Sequence, residues 1–252
     1  MIKGVDVDDN GTFRILASLR DVTRGYRGRP ALNAVSLDIF DDSGIVACVG
    51  PNGAGKTTLL KLVAGILFPE KGTITNSAAD GTGYPRWAKR NVAYIPAGER
   101  GLVNKLTGRE NILYFGCLKG VSPKDVTEKL DELKVYFAVD DILDVPVEKL
   151  SNGQNKKIQV LCGLCSNMRL LLLDEPTLGL DIDAITSLVS LIRIVRDSYG
   201  MKIFLSSHDI DFVSESTDQF VFLIKGEIRD TVAGKCSAQE IRDAYHQLKD
   251  AP

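Results

Sequence analysis

The period of the hydrophobic positions changes along this chain, and each change marks an element. Ile45–Val49 is a continuous apolar run, the pattern of a strand buried on both faces. Before it, Phe13–Leu19 and Val35–Phe40 read as short strands on either side of the turn-rich Arg24-Gly25-Tyr26-Arg27-Gly28-Arg29-Pro30. Asp41-Asp42-Ser43-Gly44 predicts another turn. A glycine-rich loop over 50–55 comes next. Leu59, Leu60, Val63, Ile66 and Leu67 then recur near every 3.6 residues and predict a helix, with Pro69 and Gly72 beyond its end.

The middle of the chain, about 105–165, reads as helical. Thr107-Gly108-Arg109-Glu110 is a capping box that opens one helix. Ser122-Pro123 places a capping hydroxyl before a proline at the first helical position, and Val126, Leu130, Leu133 and Phe137 form an apolar stripe behind it. Ser151-x-x-Gln154 opens a third helix, running to about Ser166. Strands and helices then alternate: strand Leu170–Leu173, helix Ala184–Asp197, strand Lys202–Ser206, strand Gln219–Ile224, and a last helix opened by Ser237-x-x-Glu240. Val92–Ile95 is a further strand. This alternation predicts an α/β fold with a mostly parallel core sheet.

Composition narrows the function classes. The chain has 252 residues and a net charge of −2, with a pI near 5.8, which argues against a general nucleic-acid binder. Its five cysteines are scattered, so no disulfide framework is expected. Cys162 and Cys165 form a lone C-x-x-C on one face of a predicted helix, and core packing is the expectation for them. No run reaches the roughly 18 to 20 apolar residues needed to cross a bilayer. Met1–Gly11 is acidic and lacks the order of a signal peptide, so a cytosolic protein is expected.

Two segments carry the chemistry. Gly50-Pro51-Asn52-Gly53-Ala54-Gly55-Lys56-Thr57 fits G-x4-G-K-[ST], the Walker A loop. Its glycines let backbone N–H groups approach phosphates, and the following helix turns its positive end to the same anion. Lys56 is expected to reach the β and γ phosphates of ATP, Thr57 to bind Mg²⁺ through its hydroxyl, and Thr58 to join the binding loop. Leu170-Leu171-Leu172-Leu173-Asp174-Glu175 reads as a Walker B strand ending in two acids. Asp174 is placed to hold Mg²⁺ through water, and Glu175 to act as general base on the attacking water.

At this point the chain resembles the ATP-binding subunits of ABC transporters. Leu150-Ser151-Asn152-Gly153-Gln154 is similar to the LSGGQ signature and ends 20 residues before Asp174, the family's usual spacing. Asp181, in Gly179-Leu180-Asp181, resembles the D-loop. His208, in Ser206-Ser207-His208-Asp209, resembles the switch histidine. Tyr26 lies 24 residues before Gly50, where the family keeps an aromatic residue to stack on adenine. The likeness runs over about 13–235 in the family's order.

It implies one ATPase domain over 1–252. An ATP-binding core would span 13–104 and 166–235, with a P-loop NTPase sheet and an N-terminal antiparallel β subdomain. A helical signature subdomain would be inserted at 105–165, and a C-terminal helix would occupy 236–252. It also implies a head-to-tail homodimer or heterodimer, with Ser151, Gly153 and Gln154 serving the partner's ATP. A separate integral membrane subunit would hold the protein at the inner face of the membrane, and no nucleic acid would be involved. Residues 98–120 most resemble exporter subunits for drugs, antibiotics, polysaccharides or ions; an importer subunit and a soluble ABC ATPase are the alternatives. Two departures stand out. Asn152 replaces a glycine, and asparagine tolerates a left-handed backbone there. The Q-loop glutamine position falls on Ala97, which leaves Glu99 as the nearest candidate oxygen ligand.

Overall fold

A computed structural model describes residues 14–42, 44–77, 83–98 and 101–250. Phe13 and Glu99 lie outside the described residues. The N-terminal strands β1 (Ile15–Tyr26) and β2 (Arg29–Phe40) are much longer than their apolar runs. The predicted seven-residue turn shrinks to Arg27 and Gly28, both at positive φ (50° and 76°), and Tyr26 pairs with Arg29. Positive φ at both central residues is the geometry of a tight primed hairpin. Pattern reading shortens these strands because their ends are largely exposed and so carry no apolar alternation. Pro30 is tolerated because β2 is an edge strand of the sheet β2-β1-β4. Strand β4 (Lys71–Thr75) joins β1 antiparallel and was invisible in the pattern, since none of its residues is buried.

The central sheet has six strands in the order β5-β6-β7-β3-β8-β9. These are β3 (Ile45–Val49), β5 (Val92–Ile95), β6 (Leu170–Asp174), β7 (Lys202–Ser207), β8 (Gln219–Ile224) and β9 (Glu227–Ala233). The first five are parallel; β9 is antiparallel to β8 and largely exposed, which explains why no apolar run announced it. Strands β3, β6 and β7 are buried at every residue. Alternate residues feed two cores. Ala47, Val49, Leu171 and Leu173 join one, with Leu161, Phe212 and Phe220. Val46, Cys48, Leu170 and Leu172 join the other, with Leu16, Leu60 and Trp87. A period of two on a sheet covered on both sides produces this division.

The helices are α1 (Lys56–Val63), α2 (Tyr84–Asn91), α3 (Gly108–Leu118), α4 (Pro123–Phe137), α5 (Asn152–Leu164), α6 (Ile182–Tyr199), α7 (Ile210–Ser216) and α8 (Ala238–Asp250). The capping boxes at Thr107 and Ser151 form as the sequence indicates, and Ser122 caps α4 before Pro123. Helix α1 is shorter than its apolar repeat. It stops at Val63, Gly65 turns the chain at φ 68°, and Ile66 is left 53% exposed. Helices α2 and α7 leave no clear mark in the sequence because seven or eight residues give too little periodicity. Cys162 and Cys165 are buried in the core, as expected from their spacing. Among the described residues, no helix is long and apolar enough to cross a membrane.

Candidate functional site

The site lies where β3, β6 and β7 end. Strand β3 delivers the chain into 50–55, and two glycines there have no substitute. A Cβ on Gly50 would sit 2.1 Å from the carbonyl oxygen of Leu223. Gly55 holds φ 106°, and its Cβ would meet the Ala31 carbonyl oxygen at 2.3 Å. Gly55 caps α1 with no side-chain hydrogen bond, so the positive end of that helix faces the loop. Tyr26, Asn52, Gly53, Gly55, Lys56, Thr57, Thr58 and Glu175 line one open cavity. Pro51 and Ala54 shape the turn beneath it, with the Ala54 N–H donating to the Pro51 carbonyl at 3.1 Å. Tyr26 stands at the rim, 45% exposed, with the Arg24 guanidinium 5.4 Å from its ring centre.

The charged groups form a connected set. Lys56 is 5% exposed; its ammonium donates to the Gly50 carbonyl at 2.7 Å and pairs with Glu175 Oε1 at 2.9 Å. The other Glu175 oxygen lies 2.8 Å from His208 Nδ1. Glu175 takes φ 42°, an unusual value for a residue with a Cβ, and the strain places its carboxylate at the mouth of the sheet. Its backbone N–H is anchored on β7 by the carbonyl and hydroxyl oxygens of Ser206, at 3.1 and 3.0 Å.

Asp174 is 2% exposed and collects hydroxyl donors. Thr57 and Ser206 donate to its Oδ1 at 3.0 and 2.7 Å, and Tyr94 donates to its Oδ2 at 2.9 Å. Thr57 and Asp174 offer hard oxygens side by side. Among the described residues no cluster of three His, Cys, Asp or Glu could hold an ion alone. One carboxylate, one hydroxyl and room for phosphates suit Mg²⁺, which prefers oxygen ligands and keeps several waters.

The signature segment stands apart. Ser151 Oγ accepts the Gln154 N–H and Gln154 Oε1 accepts the Ser151 N–H, which closes the box at the start of α5. Ser151, Gly153 and Gln154 line a second cavity with Asp183, Ala184 and Ser187 of α6, separate from the one that holds Lys56. Asp181 caps α6, accepting the Ala184 N–H at 2.8 Å. Asn152 does not draw on its tolerance of a left-handed backbone: it is the first residue of α5 and does not have positive φ. Its amide donates to the Gly179 carbonyl at 3.1 Å, tying the signature to the segment before Asp181.

Three polar residues near these groups were not read from the sequence. The pattern gives Tyr94 and Ser206 only as strand residues; a polar side chain near the carboxyl end of an apolar parallel strand is the signal that marks them. Lys156, on α5, is 3% exposed with its ammonium 3.5 Å from the Pro96 carbonyl oxygen. Burial pushes its pKa down to about 8, with the Asp174 charge opposing the shift. The loop after Pro96 is held from α5, since Gln159 Nε2 donates to the Gly98 carbonyl oxygen at 3.4 Å.

The chain is similar to known proteins along most of its length. The sequence profile of the family described as "ABC transporter" matches residues 32–178. The ABC transporter ATP-binding protein NatA of Bacillus subtilis is 30% identical over 217 residues, which cover 84% of this chain and 87% of NatA. The zinc import ATP-binding protein ZnuC of Hydrogenovibrio crunogenus is 29% identical over 230 residues, covering 90% of this chain and 87% of ZnuC. A solved structure described as an ATP-binding subunit of an ABC transporter superposes with a TM-score of 0.75 at 28% identity, covering 93% of this chain and 95% of that one. With a phosphate-type loop between β3 and α1, paired acids ending β6 and the family profile spanning both, the chain belongs to the ABC transporter family, as one of its ATP-hydrolysing subunits.

Proposed function

We propose that this chain binds Mg²⁺-ATP at residues 50–58 and hydrolyses it to drive a separate integral membrane subunit. The contact that carries the reading is Lys56 paired with Glu175, itself joined to His208, at the positive end of α1. Lys56 and the loop N–H groups bind the phosphates, and Tyr26 stacks on the adenine. Thr57 and Asp174 hold Mg²⁺, which neutralises charge on the phosphate oxygens when bound. Glu175 accepts the proton of the attacking water at its carboxylate, and His208 orients that carboxylate from the other side. Ala97 offers no polar side-chain atom, so this loop contributes through its backbone or through Glu99.

Two chains act together in this reading. Ser151 is exposed at a helix N-terminus and faces a different cavity from Lys56 of its own chain, which supports service to the ATP of a second ATPase subunit. Gly153 and Gln154 shape that surface, and Asp181 orders the start of α6 beside it. The pair, homodimer or heterodimer, works at the inner face of the membrane through its membrane partner, without nucleic acid. We assign it to export, on the likeness of residues 98–120 to exporter subunits. The similarity to a zinc import protein favours the second reading, uptake. Glu175→Gln tests the catalytic assignment: it should keep ATP binding, nearly abolish hydrolysis and leave an ATP-held dimer visible by light scattering. Hydrolysis near the wild-type rate would remove Glu175 from the base role. Transport measured in proteoliposomes with the copurified membrane subunit decides direction.

A further inference from the structure

Strand β5 enters the site by a route that the motifs do not describe. It is an edge strand of the central sheet, and through Pro96 it leads into Ala97, a residue with no polar side-chain atom at the position where the resemblance expects an amide. Three residues earlier on the same strand, Tyr94 is half-buried and its hydroxyl donates to Asp174 Oδ2 at 2.9 Å. The register explains the reach. Tyr94 pairs with Leu172 on β6, and Asp174, two residues on, projects from the same face.

The donors on Asp174 are divided unevenly. Thr57 and Ser206 both donate to Oδ1 and use the two acceptor sites of that oxygen. Among the described residues Tyr94 is the one donor to Oδ2. Contacts on a single oxygen let a carboxylate swing about that oxygen, whereas a donor on the second fixes its plane. We propose that Tyr94 is a positioning residue for metal binding, through which β5 fixes the Asp174 carboxylate. The inference rests on the reading of Asp174 as the metal-binding carboxylate. Outer partners that orient the groups holding a metal are worth about ten- to a hundredfold in metal affinity.

The experiment uses the full chain saturated with a non-hydrolysable ATP analogue, with Mn²⁺ as the probe ion, free and bound Mn²⁺ being separated by electron paramagnetic resonance. Tyr94→Phe removes only the hydroxyl and keeps the ring. It should raise the Mn²⁺ Kd about tenfold, while analogue affinity without metal and the cooperative urea transition stay at wild-type values. Asp174→Asn is the comparator and should raise the Mn²⁺ Kd further. If Tyr94→Phe leaves the Kd within twofold of wild type while Asp174→Asn raises it, the positioning role of Tyr94 is wrong. If Asp174→Asn also leaves it unchanged, the metal assignment of Asp174 falls, and the role of Tyr94 with it.

Discussion

Lys156 gives a stability test that depends on a single buried charge. It lies on α5 at 3% exposure, its ammonium donates to the Pro96 carbonyl oxygen at 3.5 Å, and burial lowers its pKa from 10.5 to about 8. In the unfolded chain the ammonium returns to the ordinary lysine value. The sign follows from proton counts. Between about pH 8 and 10.5 the unfolded state holds the proton and the folded state does not, so stability rises with pH across that window. Below pH 8 both states are charged, and the folded state carries the full desolvation cost. Two and a half pKa units at about 1.4 kcal/mol each give a cost of about 3.5 kcal/mol. Lys156→Met keeps most of the side-chain volume, removes the charge and gives up a long hydrogen bond worth less than about 1 kcal/mol. The variant should therefore be about 2.5 kcal/mol more stable than wild type at pH 7, and the gap should close as pH rises toward 10. Urea unfolding of both proteins at each pH measures this, and every other titrating group cancels in the difference. A gap equal at pH 7 and pH 9.5 would refute the argument, because it would mean that the ammonium titrates in the folded protein as it does in water.

Two further outcomes follow from the geometry. Ser151→Arg should leave ATP affinity of the isolated chain within about twofold and lower hydrolysis at least about tenfold, since a bulky cation would stand on the exposed helix end offered to the second subunit; normal turnover in this variant would end the trans assignment. Thiol labelling of the native protein should proceed quickly at exposed Cys117 and more slowly at half-buried Cys236, with Cys48, Cys162 and Cys165 reacting only on unfolding. Burial pushes the Cys48 and Cys165 thiols up to about 12, which withholds the reactive thiolate. Rapid native labelling at Cys162 would contradict its place in the core.

Much of the architecture was legible because its causes are local. Runs such as Ile45–Val49 and Leu170–Leu173 announce parallel strands buried on both faces, and Thr107, Ser122 and Ser151 announce helix starts through hydroxyls that reach only three residues. The loop at 50–57 and the acids at 174–175 were also readable, since a phosphate-binding loop must pass its backbone close to an anion and only certain residues allow that. Tertiary structure decided the rest. β4 and β9 exist because neighbouring strands supply their hydrogen bonds, and their own exposed side chains carry no pattern. Asn152 is an ordinary helical residue that reaches Gly179, 27 positions away. Tyr94 and Ser206 meet Asp174 only because β5, β6 and β7 lie side by side in register. A period or a cap is written in adjacent residues, whereas these contacts join residues 32 and 80 positions apart, which only the pairing of strands brings within hydrogen-bond reach.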